Sequence, residues 1–263
     1  MISTPPAPNA LPAPRLLPVW AAYSHMLSSI THNWRVALRH GLPWMALLTL
    51  FKVWGLWTPQ SPDPQDAFSL SWPDILALAV GVVATSSIAV SWHRYILQDE
   101  SPASVPAFRM DKIVWQYVGR SLFIYVVCLL PILAIAVLSD LTPLALIPIW
   151  LALGFAAIVL LIRLSLSLVA TAVDARNFGL KSALMATRGN MWRFLLLILL
   201  TALSEFLLLV AWALPLAAAQ PAPPPWVIGV SLVLSIPIQL LAVMLNVTML
   251  TTLYGYFVEH RKF

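Results

Sequence analysis

The chain has 263 residues, 60% of them apolar and only 10% charged, with a formal net charge of +5. An ordinary soluble domain carries about 25% charged residues, so water is excluded as the solvent for most of this chain and lipid takes its place. The positive balance would suit nucleic acid, but the basic residues are scattered among apolar runs and form no dense soluble stripe, so no nucleic-acid partner is expected.

From Met1 to Arg15 the chain is rich in Pro and Ala and has neither the basic start nor the apolar core of a secretory signal, which predicts a disordered cytoplasmic tail. Between Leu16 and His40, apolar Leu17, Trp20, Leu27, Ile30, Trp34 and Leu38 recur at helical spacing. Ser24, His25, Ser28, His32, Arg35 and Arg39 lie between them. This pattern predicts an amphipathic helix lying on the membrane surface. A single membrane domain of six spans follows, near 42–57, 75–97, 114–138, 144–173, 192–219 and 226–258. Each is judged against the roughly 20 apolar residues that a hydrocarbon core of about 30 Å requires. The first is the shortest and contains Lys52. Cys128, the lone cysteine, sits inside an apolar run, which leaves no disulfide framework and reads as a packed core residue. Pro131, Pro148, Pro215 and Pro237 fall within spans, where each removes a backbone donor and shapes packing.

Lys and Arg near short connections stay on the cytoplasmic side, and here their asymmetry is nearly total. Arg15, Arg35 and Arg39 precede the first span; Arg94, Arg109, Lys112 and Arg120 flank the second connection; Arg163, Arg176, Lys181, Arg188 and Arg193 flank the fourth; Arg261 and Lys262 follow the last span. The connections Thr58 to Asp74, Ser139 to Pro143 and Gln220 to Pro225 hold no Lys or Arg. Six spans with both termini inside a bacterial-type inner membrane satisfy this arrangement. Trp34, Trp44, Trp92, Trp115 and Trp192 then form an inner aromatic belt, with Trp54, Trp57, Trp72, Trp212 and Trp226 at the outer face. Each odd span is preceded by a segment carrying an aromatic and a basic residue, Asn33-Trp34-Arg35, Trp115 through Arg120, and Asn190-Met191-Trp192-Arg193, a weak threefold regularity.

The segment Asp174 to Phe194 parses further. Asn177 is placed to cap a short helix whose Leu180, Leu184 and Met185 face the bilayer while Lys181 and Arg188 meet headgroups. Gly189 supplies a left-handed stop, and Asn190 caps the fifth span. Here the chain resembles the six-span membrane module of bacterial glycerophosphoryl diester phosphodiesterases and its stand-alone relatives. The likeness is carried by Ala186-Thr187-Arg188-Gly189-Asn190 before Trp192-Arg193, by Ser91-Trp92-His93-Arg94-Tyr95-Ile96-Leu97, and by Leu253-Tyr254-Gly255-Tyr256-Phe257. In that family phosphodiesterase activity belongs to a separate soluble barrel, so the resemblance implies a membrane module with no inherited chemistry.

Charged groups within hydrocarbon cost about 2.5 to 3.5 kcal/mol each on insertion scales and ask for a functional reading. Lys52 and Glu205, joined by Gln239 at similar depth, form the candidate intramembrane polar site. Arg176, Lys181, Arg188 and Arg193 are the candidate contacts to headgroups or a partner protein. His25, His32, His40, His93 and His260 share no ligand spacing and read as interface residues. Asn246-Val247-Thr248 matches a glycosylation sequon but falls inside a span, and is set aside. No catalytic, metal or cofactor constellation is expected. The sequence therefore predicts an all-α polytopic bundle with interfacial helices on its cytoplasmic face. Its expected function is a non-enzymatic module that meets anionic membrane lipids or a membrane or cytoplasmic partner through a basic collar. The alternative is a small transporter or channel using Lys52 and Glu205. An integral membrane enzyme acting on lipids ranks last, since no His-Asp, His-Glu or paired-carboxylate set shares one membrane depth.

Overall fold

The computed structural model describes residues 15–57, 72–139, 147–218 and 224–263. The expected tail over 1–14, and residues 58–71, 140–146 and 219–223 of the three expected outer connections, lie outside the described residues. Among the described residues there are eight α-helices and no strand: α1 (Val19–His32), α2 (Trp34–Trp57), α3 (Trp72–Gln98), α4 (Lys112–Ser139), α5 (Ile147–Ala172), α6 (Leu180–Ala186), α7 (Met191–Ala218) and α8 (Pro225–Phe257). Among the described residues, five helical stretches are long and apolar enough to cross a membrane: Trp72–Gln98, Lys112–Leu130, Leu151–Ala172, Met191–Leu214 and Trp226–Phe257. The chain is thus all-α and of multi-pass membrane type. α2 is not among the five; its apolar run begins only after Arg39 and His40 and is interrupted by Lys52.

The helix expected over 16–40 is divided. Asn33 interrupts it with φ −112° and ψ 24°, because its amide donates back to Ser29 O at 2.9 Å while its carbonyl accepts from Tyr95 Oη at 2.8 Å. A short polar side chain that bonds nearby backbone competes with helix continuation. The chain then re-enters helix at Trp34 and runs without a break through Pro43 to Trp57. α1 does not merely rest on a surface. Its Ala22, Met26 and Ile30 are buried, at i, i+4, i+8 spacing, against α7 and α8.

α5 and α8 lie at the centre, α8 packing against α1, α2, α3, α5 and α7 and α5 against α3, α4, α6, α7 and α8. Small residues allow this closeness. Ala84, Ser86, Ser87, Ala89 and Ser91 are buried on α3, and Ser165, Ser167, Ala170 and Ala172 on α5. Their serines do not cost the core an unpaired hydroxyl: Ser86 donates to Val82 O and Ser165 to Leu161 O, one turn back along the same helix. α2 meets α8 at Gly41, where an added Cβ would collide with Leu240.

Burial is uneven along the bundle. The packed core occupies the carboxyl-terminal halves of α3, α5 and α8 and the amino-terminal parts of α4 and α7, with Ile88, Leu166, Leu253, Ile124 and Phe194 all at most 1% exposed. In the opposite halves Leu78, Leu130, Leu151, Phe206 and Val233 are exposed. Burial is therefore heavier at one end than at the other, where more apolar side chains are exposed and lipid is the matching solvent.

Several expectations are revised by this packing. Trp44 and Trp92 belong to the core at 1% and 2% exposure rather than to an aromatic belt, whereas Trp34, Trp115 and Trp192 are exposed. Trp44 Nε1 has a partner inside, Ser87 Oγ at 3.0 Å. His40 and His93 are also buried rather than interfacial. α6 begins after Gly179 without a side-chain cap, so Asn177 does not cap it. Leu180 and Leu184 pack against the core, leaving Met185 as the exposed member of that trio. Gly189 does adopt the left-handed stop, at φ 77°. Cys128 is buried.

Candidate functional site: a basic end and an intramembrane chamber

Every Lys and Arg except Lys52 lies in the tightly packed half of the bundle or in the segments joining it. Many of these cations are consumed by the fold. Helix carboxyl ends leave carbonyls without intrahelical donors, and arginines from elsewhere supply them. Arg94 Nη1 reaches Ala172 O at the end of α5, Arg163 Nη2 reaches Leu184 O on α6 at 2.6 Å, and Arg261 reaches Ile96 O and Leu97 O on α3, both at 3.3 Å. Glu100 accepts from Arg94 Nε at 2.8 Å and from Arg109 Nη1 at 2.9 Å, and Arg109 Nε also donates to Asp111 at 2.7 Å. Burial pushes the Glu100 carboxyl up, but the hydrogen bonds and charges of Arg109 and Arg94 outweigh it and hold the group below the usual carboxylate range.

The segment before α1 is clasped by the same end. Leu17 N donates to Asn190 Oδ1 at 2.8 Å, the Asn190 amide donates to Arg15 O at 2.9 Å, and Tyr256 Oη donates to Leu16 O at 2.7 Å. Arg15 stacks its guanidinium over the Tyr256 ring, 3.8 Å from the centroid, and donates to Arg261 O at 3.0 Å. Asn190 stands at the N-cap position of α7, its carbonyl accepting from Phe194 N at 2.9 Å, but its side chain clasps the amino-terminal segment instead of the first turn.

Among the four expected headgroup contacts, Arg193 is committed to this clasp, donating to Leu17 O at 2.7 Å. Lys181 and Arg188 are exposed on and just after α6. Arg176 is exposed and 3.3 Å from Asp174, and it borders a cleft of about 600 Å³ between the start of α4 and the end of α5. Lys112, Gln116, Arg120, Thr171, Asp174 and Arg176 line that cleft. Arg120 is braced there by Thr171 Oγ1 at 2.9 Å. With three cations against one carboxylate, the cleft attracts anions. Sequence reading named Arg120 and Lys112 only as flanking charges; their meeting with Arg176 follows from α4 packing on α5.

Lys52, Gln239 and Glu205 lie toward the other, less buried end. Lys52 and Gln239 line a cavity of about 460 Å³, and Glu205 lines an adjoining one of about 500 Å³. The two share the wall residues Thr85, Tyr125, Ser165, Asn246, Val247 and Leu250. The expected trio thus borders one two-winged chamber, but no ion pair joins Lys52 to Glu205 among the described residues. Asn246, set aside as a buried sequon, is the link: its amide donates to Glu205 Oε1 and to Ala242 O. Gln239 and Asn246 stand two turns apart on α8, which places both on the chamber face.

His93 was missed as a buried group. Its Nδ1 is 2.8 Å from Thr251 Oγ1, and Thr251 already gives its proton to Val247 O at 2.9 Å. With the Thr251 proton on Val247 O the imidazole donates from Nδ1, and its Nε2 is buried without a protein partner among the described residues. Comparison of the chain with models of protein families, with curated proteins and with solved structures finds no match.

Proposed function

We propose that the protein is a six-span, non-catalytic module of a bacterial-type inner membrane, with both termini cytoplasmic, that holds an anionic phospholipid headgroup at its basic end. The cleft of Lys112, Arg120 and Arg176 carries this reading. Three cations converge on one recess beside exposed Trp115, a residue type that favours headgroup level. Juxtamembrane basic residues are attracted to anionic leaflets by about 1 kcal/mol each. The resemblance to a phosphodiesterase membrane module agrees with a role outside chemistry.

The sixth span rests on the clasp between the termini. Arg15 bonds Arg261 O and Leu17 bonds Asn190, so residues 15–17 and the segment after α8 share one end of the bundle, which supports an even number of crossings. Five apolar helices then need α2 as the sixth, with the long stem of Lys52 free to tilt toward polar surroundings. The orientation rests on the near-total gathering of Lys and Arg at that same end.

The test is lipid retention by the purified chain. In nanodiscs containing phosphatidylglycerol and phosphatidylcholine with matched tails, native mass spectrometry is expected to find phosphatidylglycerol enriched on the protein. A Lys112→Gln, Arg120→Gln, Arg176→Gln variant should lose the enrichment. Equal retention of both lipids by the unaltered protein refutes the proposal.

A further inference from the structure

The chamber between α2, α3, α4, α5, α7 and α8 has a chemistry of its own, independent of the basic cleft. Each wing has the size of a small-molecule pocket, where about 300 to 1,000 Å³ is usual. One wing presents an ammonium, Lys52, and the other a carboxyl, Glu205, and among the described residues neither meets an opposite charge. Between them the walls offer acceptors. Ser121 donates its proton to Val118 O, Ser165 to Leu161 O and Thr201 to Leu197 O, while Gln239 spends an amide hydrogen on Ser235 O. Each oxygen keeps lone pairs for a visitor. The remaining lining is aliphatic, including Leu78, Val82, Ile158 and Leu161. The chamber is not sealed: Lys52 and Asn246, which line it, are exposed.

We propose that this chamber binds a molecule carrying a primary ammonium and an acidic group together. The ammonium sits against Glu205 and the acceptor-rich wall, and the acidic group lies toward Lys52. Such a zwitterion offers a partner to the charge in each wing and brings donors to the oxygens of Ser121, Ser165 and Thr201, whose own protons are already given away. An amino-phospholipid headgroup is the source that also uses the aliphatic lining. A free amino acid shares the polar chemistry but leaves that lining unused.

The experiment measures headgroup selectivity of the full chain in nanodiscs by native mass spectrometry, using phosphatidylethanolamine, its mono- and dimethyl derivatives and phosphatidylcholine with identical tails. Retention is expected to fall stepwise as methyl groups replace N–H donors, the ethanolamine form exceeding the choline form by about fivefold, the worth of one net hydrogen bond. Glu205→Gln should bring that ratio toward one. Lys52→Gln should lower retention of all four lipids, since their phosphate is common, and leave the ratio in place. A flat methylation series in the unaltered protein overturns the proposal without relying on any variant's folding, as does an unchanged ratio in a folded Glu205→Gln protein. Displacement of bound lipid by millimolar serine, with no headgroup preference, overturns the lipid source and assigns the chamber to a soluble zwitterion.

Discussion

A single amide, Asn190, holds the segment before α1 against the bundle by bonds to Leu17 N and Arg15 O while also donating to Arg188 O at 3.1 Å. Asn190→Leu removes all three and leaves Leu17 N unpaired in a buried site, an expected loss of about 1 to 3 kcal/mol. Thermal unfolding in detergent should register it, and trypsin should cut after Arg15 faster than in the unaltered protein because the clasp is what shields that bond. Unchanged cleavage would mean that Tyr256 and Arg193 suffice. Reading the sequence assigned Asn190 to α7 because a cap is a local motif, and the true partners lie 173 and 175 positions away. Lys52, Glu205 and Gln239 were legible for the opposite reason: polarity inside an apolar run stands out without knowledge of any partner. Asn246 was equally visible, yet its meaning depends on Glu205 across a helix interface, which no spacing along α8 reveals.

At the scale of elements, apolar run length marked out the five long helices well, since hydrocarbon thickness sets their size whatever they pack against. Where two helices abut, that signal fails. The division at Asn33 arises from Tyr95 on α3, and the docking of α6 arises from Arg163 reaching Leu184 O and Thr187 Oγ1 at 2.8 Å. Trp44 and Trp92 illustrate the same limit, because residue type suggested a belt and packing decided for the core. The approach of α2 to α8 at Gly41 is another feature without a local signature, and it bears on whether α2 is a true member of the bundle. Gly41→Val must displace Leu240, itself 3% exposed, at an expected cost of about 1 to 3 kcal/mol from overpacking. Gly154→Ala on α5, where an added Cβ meets nothing within 4 Å, should be neutral or slightly stabilising. The difference between the two thermal midpoints measures the contact; if they coincide, α2 does not sit against α8 as described.

For the whole molecule, charge placement implied a basic end and an end without Lys or Arg. It could not reveal that burial is concentrated at the first and side chains are more exposed at the second, because lipid-facing and chamber-facing residues are alike apolar. Burial supplies that distinction, and it gives the two ends different work: a rigid base where arginines cap helices and clasp the termini, and an open half where polar groups meet the bilayer. The proposed arrangement in the membrane follows from this base. If Arg15 and Arg261 share a side, α2 has to cross, and residues 58–71 have to emerge opposite both termini. Single cysteines placed by Ser3→Cys, Asp63→Cys, Met110→Cys and Lys262→Cys in a Cys128→Ser background test it with an impermeant maleimide on intact spheroplasts. Only Asp63→Cys should react, with the other three labelled once the membrane is opened. A five-span protein in the same membrane would place Ser3→Cys with Asp63→Cys, and away from Lys262→Cys. That pattern would separate the two ends of the chain and with them the clasp, the capped base and the orientation of the basic cleft toward the cytoplasmic leaflet.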